Sequence, residues 1–298
     1  MNQPYPRLPG FKYFRPDSTR EAVEFLSEHA NQSRPYIGGT DCFVQIRDRK
    51  FLPEYLVDLK GVAAYHRLSF SKEGLLIGAA VPMNTVANHP EIRARYPVLV
   101  EAIREVGGYQ LRTRATVTGN LCNASPGGDT IGPCLVYGTE ALVAGSDGER
   151  TVPLTEFFKG PGKTCLEPSE IVTALRLPFP PKGAQGVYRS IGRNKLGDLA
   201  IAAVTVLGYP ETDNPSGFAF KISLSAVAPT VIFAEEAQAL LAEEALNRAA
   251  IERASDLCAR ACKPIDDIRS SAEYRRDMIR VLARQGLEET CKKLGIVI

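Results

Sequence analysis

Thr116-Val-Thr-Gly-Asn-Leu-Cys-Asn-Ala-Ser-Pro-Gly-Gly-Asp129 packs a glycine turn, short hydroxyl and amide side chains, a proline and one acid into fourteen residues. That mixture suits a backbone wrapped around a polar, phosphate-bearing ligand. Glycine lets main-chain N–H groups approach an anion closely. Asn120 and Ser125 can donate to carbonyl or phosphate oxygens, and Asp129 can accept from sugar hydroxyls. Pro126 pre-sets one turn angle and limits the entropy lost on ordering the loop. A plain surface loop shares this composition, but the length of the stretch and the apolar segments on both sides argue against it.

About eighty residues upstream lies a second such turn, Ile37-Gly-Gly-Thr-Asp41. Arg34-Pro-Tyr-Ile37 reads as a short strand entering it. Phe43, Val44 and Ile46 give the following segment an apolar helical face, and Tyr55-Leu-Val-Asp-Leu59 reads as a strand. Gly38 and Gly39 permit positive φ and close backbone approach, and Thr40 adds a hydroxyl. Adjacent glycines also occur in ordinary tight turns, and no Gly-x-Gly-x-x-Gly is present, so this is not the usual dinucleotide fingerprint. Two loops on one chain point to a large, elongated cofactor held at more than one place.

The global numbers exclude several classes. A chain of 298 residues can bury a sizeable core without staples. A net charge of +2 gives no electrostatic case for nucleic acid or an anionic membrane. No apolar run reaches the roughly twenty residues of a membrane span, and the start lacks the regions of a secretory signal. A cytoplasmic protein is expected. The seven cysteines include no Cys-x-x-Cys pair. Cys258 and Cys262, four apart, read as buried packing rather than metal ligands, and no metal is expected. His29, His66 and His89 read as isolated surface or loop residues.

Ser18-Thr-Arg-Glu21 fits a capping box that opens a helix. Arg67–Phe70 and Gly74–Gly78 read as a hairpin, Val98–Val106 as a helix, and Glu140–Ala144 and Ile171–Leu177 as strands. Pro178-Phe-Pro-Pro-Lys-Gly183 is the clearest punctuation, and the domain boundary is placed there. Beyond it, Gly186–Ile191 and Phe218–Val227 have strand composition, while Ala200–Leu207 leaves strand and helix open. Helix-forming residues dominate from Ala234 onward. This half reads as a packing or docking domain. Gly160-Pro-Gly-Lys-Thr164 imitates the end of a P-loop, but Phe157 stands where its first glycine belongs, and Pro161 removes a backbone donor. No Gly-x-Ser-x-Gly or His-Glu-x-x-His occurs, so the chemistry is expected to lie with a cofactor.

The pairing of Ile37-Gly-Gly-Thr-Asp41 with Thr116-Val-Thr-Gly-Asn120 and Ala124-Ser-Pro-x-x-Asp129 resembles the FAD-binding medium subunit of molybdenum hydroxylases. The resemblance covers nearly the whole chain. It implies an α+β architecture: a vanillyl-alcohol-oxidase (PCMH)-type FAD-binding domain over 1–178, with subdomains of about 1–60 and 61–178. A smaller α/β C-terminal flavoprotein domain would follow over 184–298. It further implies non-covalent FAD. Tyr36, Ile37, Gly38, Gly39, Thr40, Asp41 and Cys42 would hold the diphosphate. Thr116, Val117, Thr118, Gly119 and Asn120 would form the second wall. Ser125 and Asp129 would lie toward the sugar part, Val106 and Gly107 at the flavin ring, and Val172 beside the nucleotide end.

Two departures stand out. The family's second loop reads Thr-x-Gly-Gly-Asn, and here Thr118 replaces the first glycine, so it must tolerate that backbone conformation. Ser190 occupies the position where relatives often carry a flavin-facing lysine, with Arg189 and Lys195 as candidate substitutes. By the same resemblance, partner subunits would carry the molybdopterin and two [2Fe–2S] clusters. The expected role is electron transfer from those clusters through FAD to an external acceptor. The alternatives are a self-sufficient flavin oxidase or reductase on the same scaffold, and a non-catalytic FAD-binding assembly module.

Overall fold

The computed structural model describes residues 8–194 and 197–298. Near the N-terminus, β1 (Lys12–Phe14), β2 (Ser33–Tyr36) and β3 (Tyr55–Asp58) form a parallel sheet in the order β1-β3-β2. Between β1 and β2 runs α1 (Thr19–Glu28), which begins as its sequence predicts: the Ser18 hydroxyl accepts from the Glu21 N–H at 3.1 Å. The Glu21 carboxylate reaches one residue past the usual capping-box partner, to the Asp17 N–H at 2.8 Å. Ala22, Val23 and Leu26 of α1 pack with Val57 and Leu59. The short α2 (Cys42–Arg47) follows the first glycine turn.

The larger sheet is antiparallel throughout. Its strands are β4 (Leu68–Ser71), β5 (Gly74–Gly78), β6 (Glu140–Gly145), β7 (Gly148–Pro153) and β10 (Ile171–Leu177), in the order β4-β5-β10-β6-β7. A small hairpin, β8 (Phe158–Gly160) and β9 (Lys163–Thr164), forms a separate pair. Its tight turn is Gly160–Lys163, the segment that imitates a P-loop. Six helices lie between β5 and β6: α3 (Met83–Asn88), α4 (Pro90–Arg95), α5 (Pro97–Glu105), α6 (Tyr109–Arg112), α7 (Val117–Cys122) and α8 (Ile131–Val136). A seventh, α9 (Leu154–Phe157), follows β7.

After the Pro-rich join the chain builds β11 (Gln185–Ile191), β12 (Ala202–Pro210), β13 (Phe218–Ser225) and β14 (Ile232–Phe233), antiparallel in that order. Helices α10 (Glu235–Glu243), α11 (Arg248–Ala261) and α12 (Ala272–Lys293) pack behind them. The alanine-rich segment is thus a strand. Its first seven residues are all buried, because α12 covers one face of β12 and α8 the other. Small side chains let helices approach from both sides, and a strand covered on both faces loses the alternation that would have marked it. Cys258 and Cys262 lie in the C-terminal core, the Cys262 thiol donating to the Cys258 carbonyl at 3.3 Å.

The two units share a core. Tyr188, Ala203 and Leu207 from the C-terminal sheet belong to the same apolar cluster as Leu99, Ile103 and Leu135. The buried Tyr96 hydroxyl ties the join down, within hydrogen-bonding distance of the Leu177 carbonyl (3.1 Å) and the Pro178 carbonyl (3.0 Å). Among the described residues no helix is long and apolar enough to cross a membrane, and no three His, Cys, Asp or Glu side chains gather as a metal site.

Candidate functional site

A cavity of about 660 Å³ lies between the two glycine loops and extends to residues 197–199 of the C-terminal unit. Its size is that of a cofactor or substrate cleft. The first loop enters from the end of β2 and turns at Gly39, whose φ of +74° lies in the left-handed region. Gly38 packs so tightly that an added Cβ would stand 2.3 Å from the carbonyl oxygen of Arg114, two residues before the second loop. The two walls therefore touch through backbone. The N–H groups of Gly38, Gly39, Thr40 and Asp41 make no hydrogen bond among the described residues.

The second loop is partly helical. Thr116 is the N-cap of α7, its hydroxyl accepting from the Gly119 N–H at 2.9 Å. Thr118, where the family has glycine, sits inside this helix without a positive φ. Its backbone therefore needs no glycine. The residue lines the cavity, while its hydroxyl oxygen is buried and has no hydrogen-bond partner among the described residues. Past the helix, Ala124 takes a φ of +47°, a strained conformation for a side-chain-bearing residue that costs on the order of 1 kcal/mol. The Asn120 side-chain carbonyl fixes the returning chain by accepting from the Thr130 hydroxyl at 2.7 Å. The Gln45 amide of α2 donates to the Asn123 side-chain carbonyl at 2.9 Å, linking the walls a second time.

Asp129 closes the loop and is 7% exposed. Burial pushes its carboxyl up to about 6, and a hydrogen bond from the Tyr188 hydroxyl, 2.7 Å away, partly opposes that shift. Burial and the neighbouring Asp129 hold the Tyr188 phenol well above its ordinary value. Tyr188 stands on β11, so the C-terminal unit reaches into the site. Besides packing, that half thus supplies the partner of the site's buried acid.

Of the residues expected at the site, Tyr36, Ile37, Gly38, Gly39, Thr40, Asp41, Cys42, Val106, Gly107, Thr116, Thr118, Gly119, Asn120, Ser125, Asp129 and Val172 all line the cavity. Two do not. Val117 faces the core, fully buried among apolar neighbours, because helical geometry turns it away from Thr116 and Thr118. Ser190 is not in the wall; it shares a strand face with Tyr188, two residues before it. Arg189, on the opposite face, is paired with Glu289 of α12, so it is not a stand-in for the missing lysine. Lys195 lies outside the described residues. The wall also contains Arg34, Gln45, Asn123, Glu170, Asp198 and Leu199, none of which was anticipated. Arg34, one residue into β2, carried the best signal: a cation at the entry to a glycine turn.

The residues present fit FAD. Gly38 leaves no room for a Cβ against the Arg114 backbone, the N–H groups of residues 38–41 have no hydrogen-bond partner among the described residues, and residues 38–41 and Thr118 all line one cavity. Val106, Leu111 and Val172 add apolar surface.

Comparisons with known proteins agree. A family model described as the FAD binding domain in molybdopterin dehydrogenase matches residues 9–180, and one for the CO dehydrogenase flavoprotein C-terminal domain matches residues 187–290. The carbon monoxide dehydrogenase medium chain of Afipia carboxidovorans is 31% identical, over 94% of this chain and 97% of its own length. A putative xanthine dehydrogenase FAD-binding subunit of Escherichia coli is 26% identical, over 95% of this chain and 97% of that protein. The structure of a carbon monoxide dehydrogenase from Hydrogenophaga pseudoflava superposes with a TM-score of 0.92 at 28% identity, covering 96% of this chain and 99% of its counterpart. The chain belongs to the FAD-binding medium-subunit family of molybdenum hydroxylases. It is an oxidoreductase flavoprotein subunit, and its cofactor is FAD.

Proposed function

We propose that this chain holds one FAD non-covalently between its two glycine loops and passes electrons from partner [2Fe–2S] clusters to an external acceptor. FAD supplies the redox chemistry, accepting and releasing electrons; the chain's residues bind and orient it. The observation that carries the reading is the backbone contact of Gly38 on the Arg114 carbonyl, which joins both loops around one space. Residues 36–42 take the diphosphate. Thr116, Thr118, Gly119 and Asn120 form the facing wall, Ser125 and Asp129 meet the sugar part, and Val106 and Gly107 border the ring. Val172 supports the nucleotide end. Val117 acts only by seating α7 in the core, and Ser190 by lining the strand face beside Tyr188.

Two features of the same wall support non-covalent attachment. Burial raises the thiol of Cys42 and pushes that of Cys122 up to about 12, so neither offers a thiolate for linkage. No histidine is among the described residues lining the cavity. The unit boundary falls in the Pro-rich join, giving an FAD domain over 1–178 and a C-terminal domain over 184–298. The partners are a large molybdopterin subunit and a small subunit with two [2Fe–2S] clusters, in a cytoplasmic heterotrimer that is itself duplicated.

A self-sufficient flavin enzyme is the second reading, favoured by one observation: Asp129 is a buried acid on the cavity wall. Reconstitution separates the two. The isolated chain should bind FAD yet turn over neither purines, aldehydes, N-heterocycles nor carbon monoxide, and adding both partner subunits should restore substrate-dependent flavin reduction. Robust oxidation of any of these by the chain alone would establish the second reading.

A further inference from the structure

Behind the first glycine loop, outside the cavity, stands a charged group that no motif announced. The Lys60 ammonium is 2.6 Å from an oxygen of Asp58, donates to the carbonyl of Ile37 at 3.0 Å, and lies over the Tyr36 ring, 4.2 Å from its centroid. Asp58 is 4% exposed and held on every side. It accepts from the Tyr13 hydroxyl at 2.7 Å, the Tyr36 hydroxyl at 3.3 Å and the Lys60 N–H at 3.0 Å. Its position at the end of β3, in register with Tyr36 of β2, places this cluster directly under the turn.

The peptide from Ile37 to Gly38 is trans, so its carbonyl and N–H point in opposite directions. Lys60 holds the carbonyl on one side and thereby sends the Gly38 N–H to the other. Gly38 is meanwhile pressed against the Arg114 carbonyl. The peptide plane is clamped between a cation behind and backbone in front, and its N–H has no other partner among the described residues. Leu59 reaches the cavity wall; Lys60 does not. Since Asp58 neutralises it, Lys60 adds little net charge to the loop, and its contribution is geometric.

We infer that Lys60 is a positioning residue for cofactor binding: with Asp58 it fixes the Ile37–Gly38 peptide so that the loop's N–H donors are set for a diphosphate before the ligand arrives. Pre-setting donors removes an ordering cost from binding. The inference rests on the FAD reading above and names how that same site is held.

Lys60→Met alone would leave Asp58 buried without its cation, so the test uses the double variant Lys60→Met/Asp58→Asn beside Lys60→Arg. FAD affinity is measured by flavin fluorescence on flavin-stripped full-length protein, at a temperature where circular dichroism shows each variant folded. The double variant should bind FAD at least tenfold more weakly than wild type. Lys60→Arg, which keeps a cation for Asp58, N–H donors for Ile37 and a charge over the Tyr36 ring, should stay within about threefold. A double variant within threefold of wild type, or an arginine variant as weak as the double, would overturn the positioning role. Failure of the wild-type chain to bind FAD would instead sink the reading on which it rests.

Discussion

The first glycine loop is held from behind by an ion pair, Lys60 with Asp58. The second is held by neutral contacts and by a tyrosine from the other unit. Their two carboxylates respond to the protein in opposite directions. Burial opposes ionisation of Asp58, but hydrogen bonds from Lys60 and Tyr13 prevail and keep its carboxyl below the ordinary value. Asp129 has the Tyr188 hydroxyl and its own backbone N–H, but no cation, against its burial and is pushed up to about 6. A carboxylate paired with a cation stays charged and braces the backbone. One left with a phenol is poised between charge states and can serve as an adjustable acceptor. Mild acid should therefore reach the second loop and spare the first.

The largest effect expected from a point change lies where the loops touch. Gly38→Ala places a methyl group 2.3 Å from the Arg114 carbonyl oxygen, a backbone atom that cannot swing aside. The walls must part, and purified protein should carry less than about a tenth of the wild-type flavin, consistent with an overpacking cost of roughly 1–3 kcal/mol before any lost phosphate contact. Gly39→Val should follow closely. It forces a β-branched residue to a φ of +74°, and its Cβ would stand 2.7 Å from the Phe43 ring. Folded Gly38→Ala protein with full flavin would separate the first loop from the site.

Next comes the second loop's acid. Asp129→Ala should weaken FAD by about ten- to a hundredfold, since a charge-assisted hydrogen bond contributes roughly 1.5–3 kcal/mol. Tyr188→Phe, which leaves the carboxylate in place, should cost less. Titration calorimetry on the stripped proteins distinguishes the cases. If Asp129 only caps local backbone, the alanine variant's loss will appear in thermal stability, equally with and without FAD.

The pH response sharpens the contrast. A carboxyl whose folded value is raised above its unfolded one binds its proton more tightly in the folded state. Its contribution to stability is therefore complete below about pH 4 and is lost as pH rises through about 6. Flavin-stripped Asp129→Asn should be more stable than wild type at pH 7.5, by on the order of 3 kcal/mol, and equal to it near pH 4. Affinity moves the other way. As pH falls through 6, wild type should lose FAD affinity because the neutral carboxyl is a weaker acceptor, and the asparagine variant should not. Asp58 has the opposite sign: its stabilisation is present above about pH 4 and is lost only as pH falls through its lowered folded value. Parallel pH profiles for wild type and Asp129→Asn would remove the second half of the comparison.

The smallest effect belongs to the P-loop imitation. Lys163 is exposed on its hairpin, and Lys163→Ala should leave flavin content and affinity unchanged. A clear loss would bring a phosphate back to Gly160–Thr164.

Much of this was legible in the residues. The first glycine turn, the capping serine and the Pro-rich join are local signals, and each falls at an element boundary in the structure. The second loop concealed α7, because Thr116 caps it with a hydroxyl that reads equally as a ligand donor and Gly119 lowers its helical propensity. β7 escaped because only Val152 of its six residues is buried, which leaves no alternation to read. The contacts that hold the site were beyond sequence reading for a different reason. Tyr188 meets Asp129 across 59 residues, Gln45 meets Asn123 across 78, and Lys60 reaches Ile37 across 23. Each depends on how sheets and helices stack, which no local pattern encodes.

Stripping the full-length chain of flavin, titrating it with FAD and then precipitating the saturated protein with acid tests the central claim most directly. Two loops that share one cavity and hold the flavin without a covalent bond should give saturation at one FAD per chain, with all of it recovered intact in the supernatant. Absence of saturable binding, or flavin that stays with the precipitated polypeptide, would contradict the account.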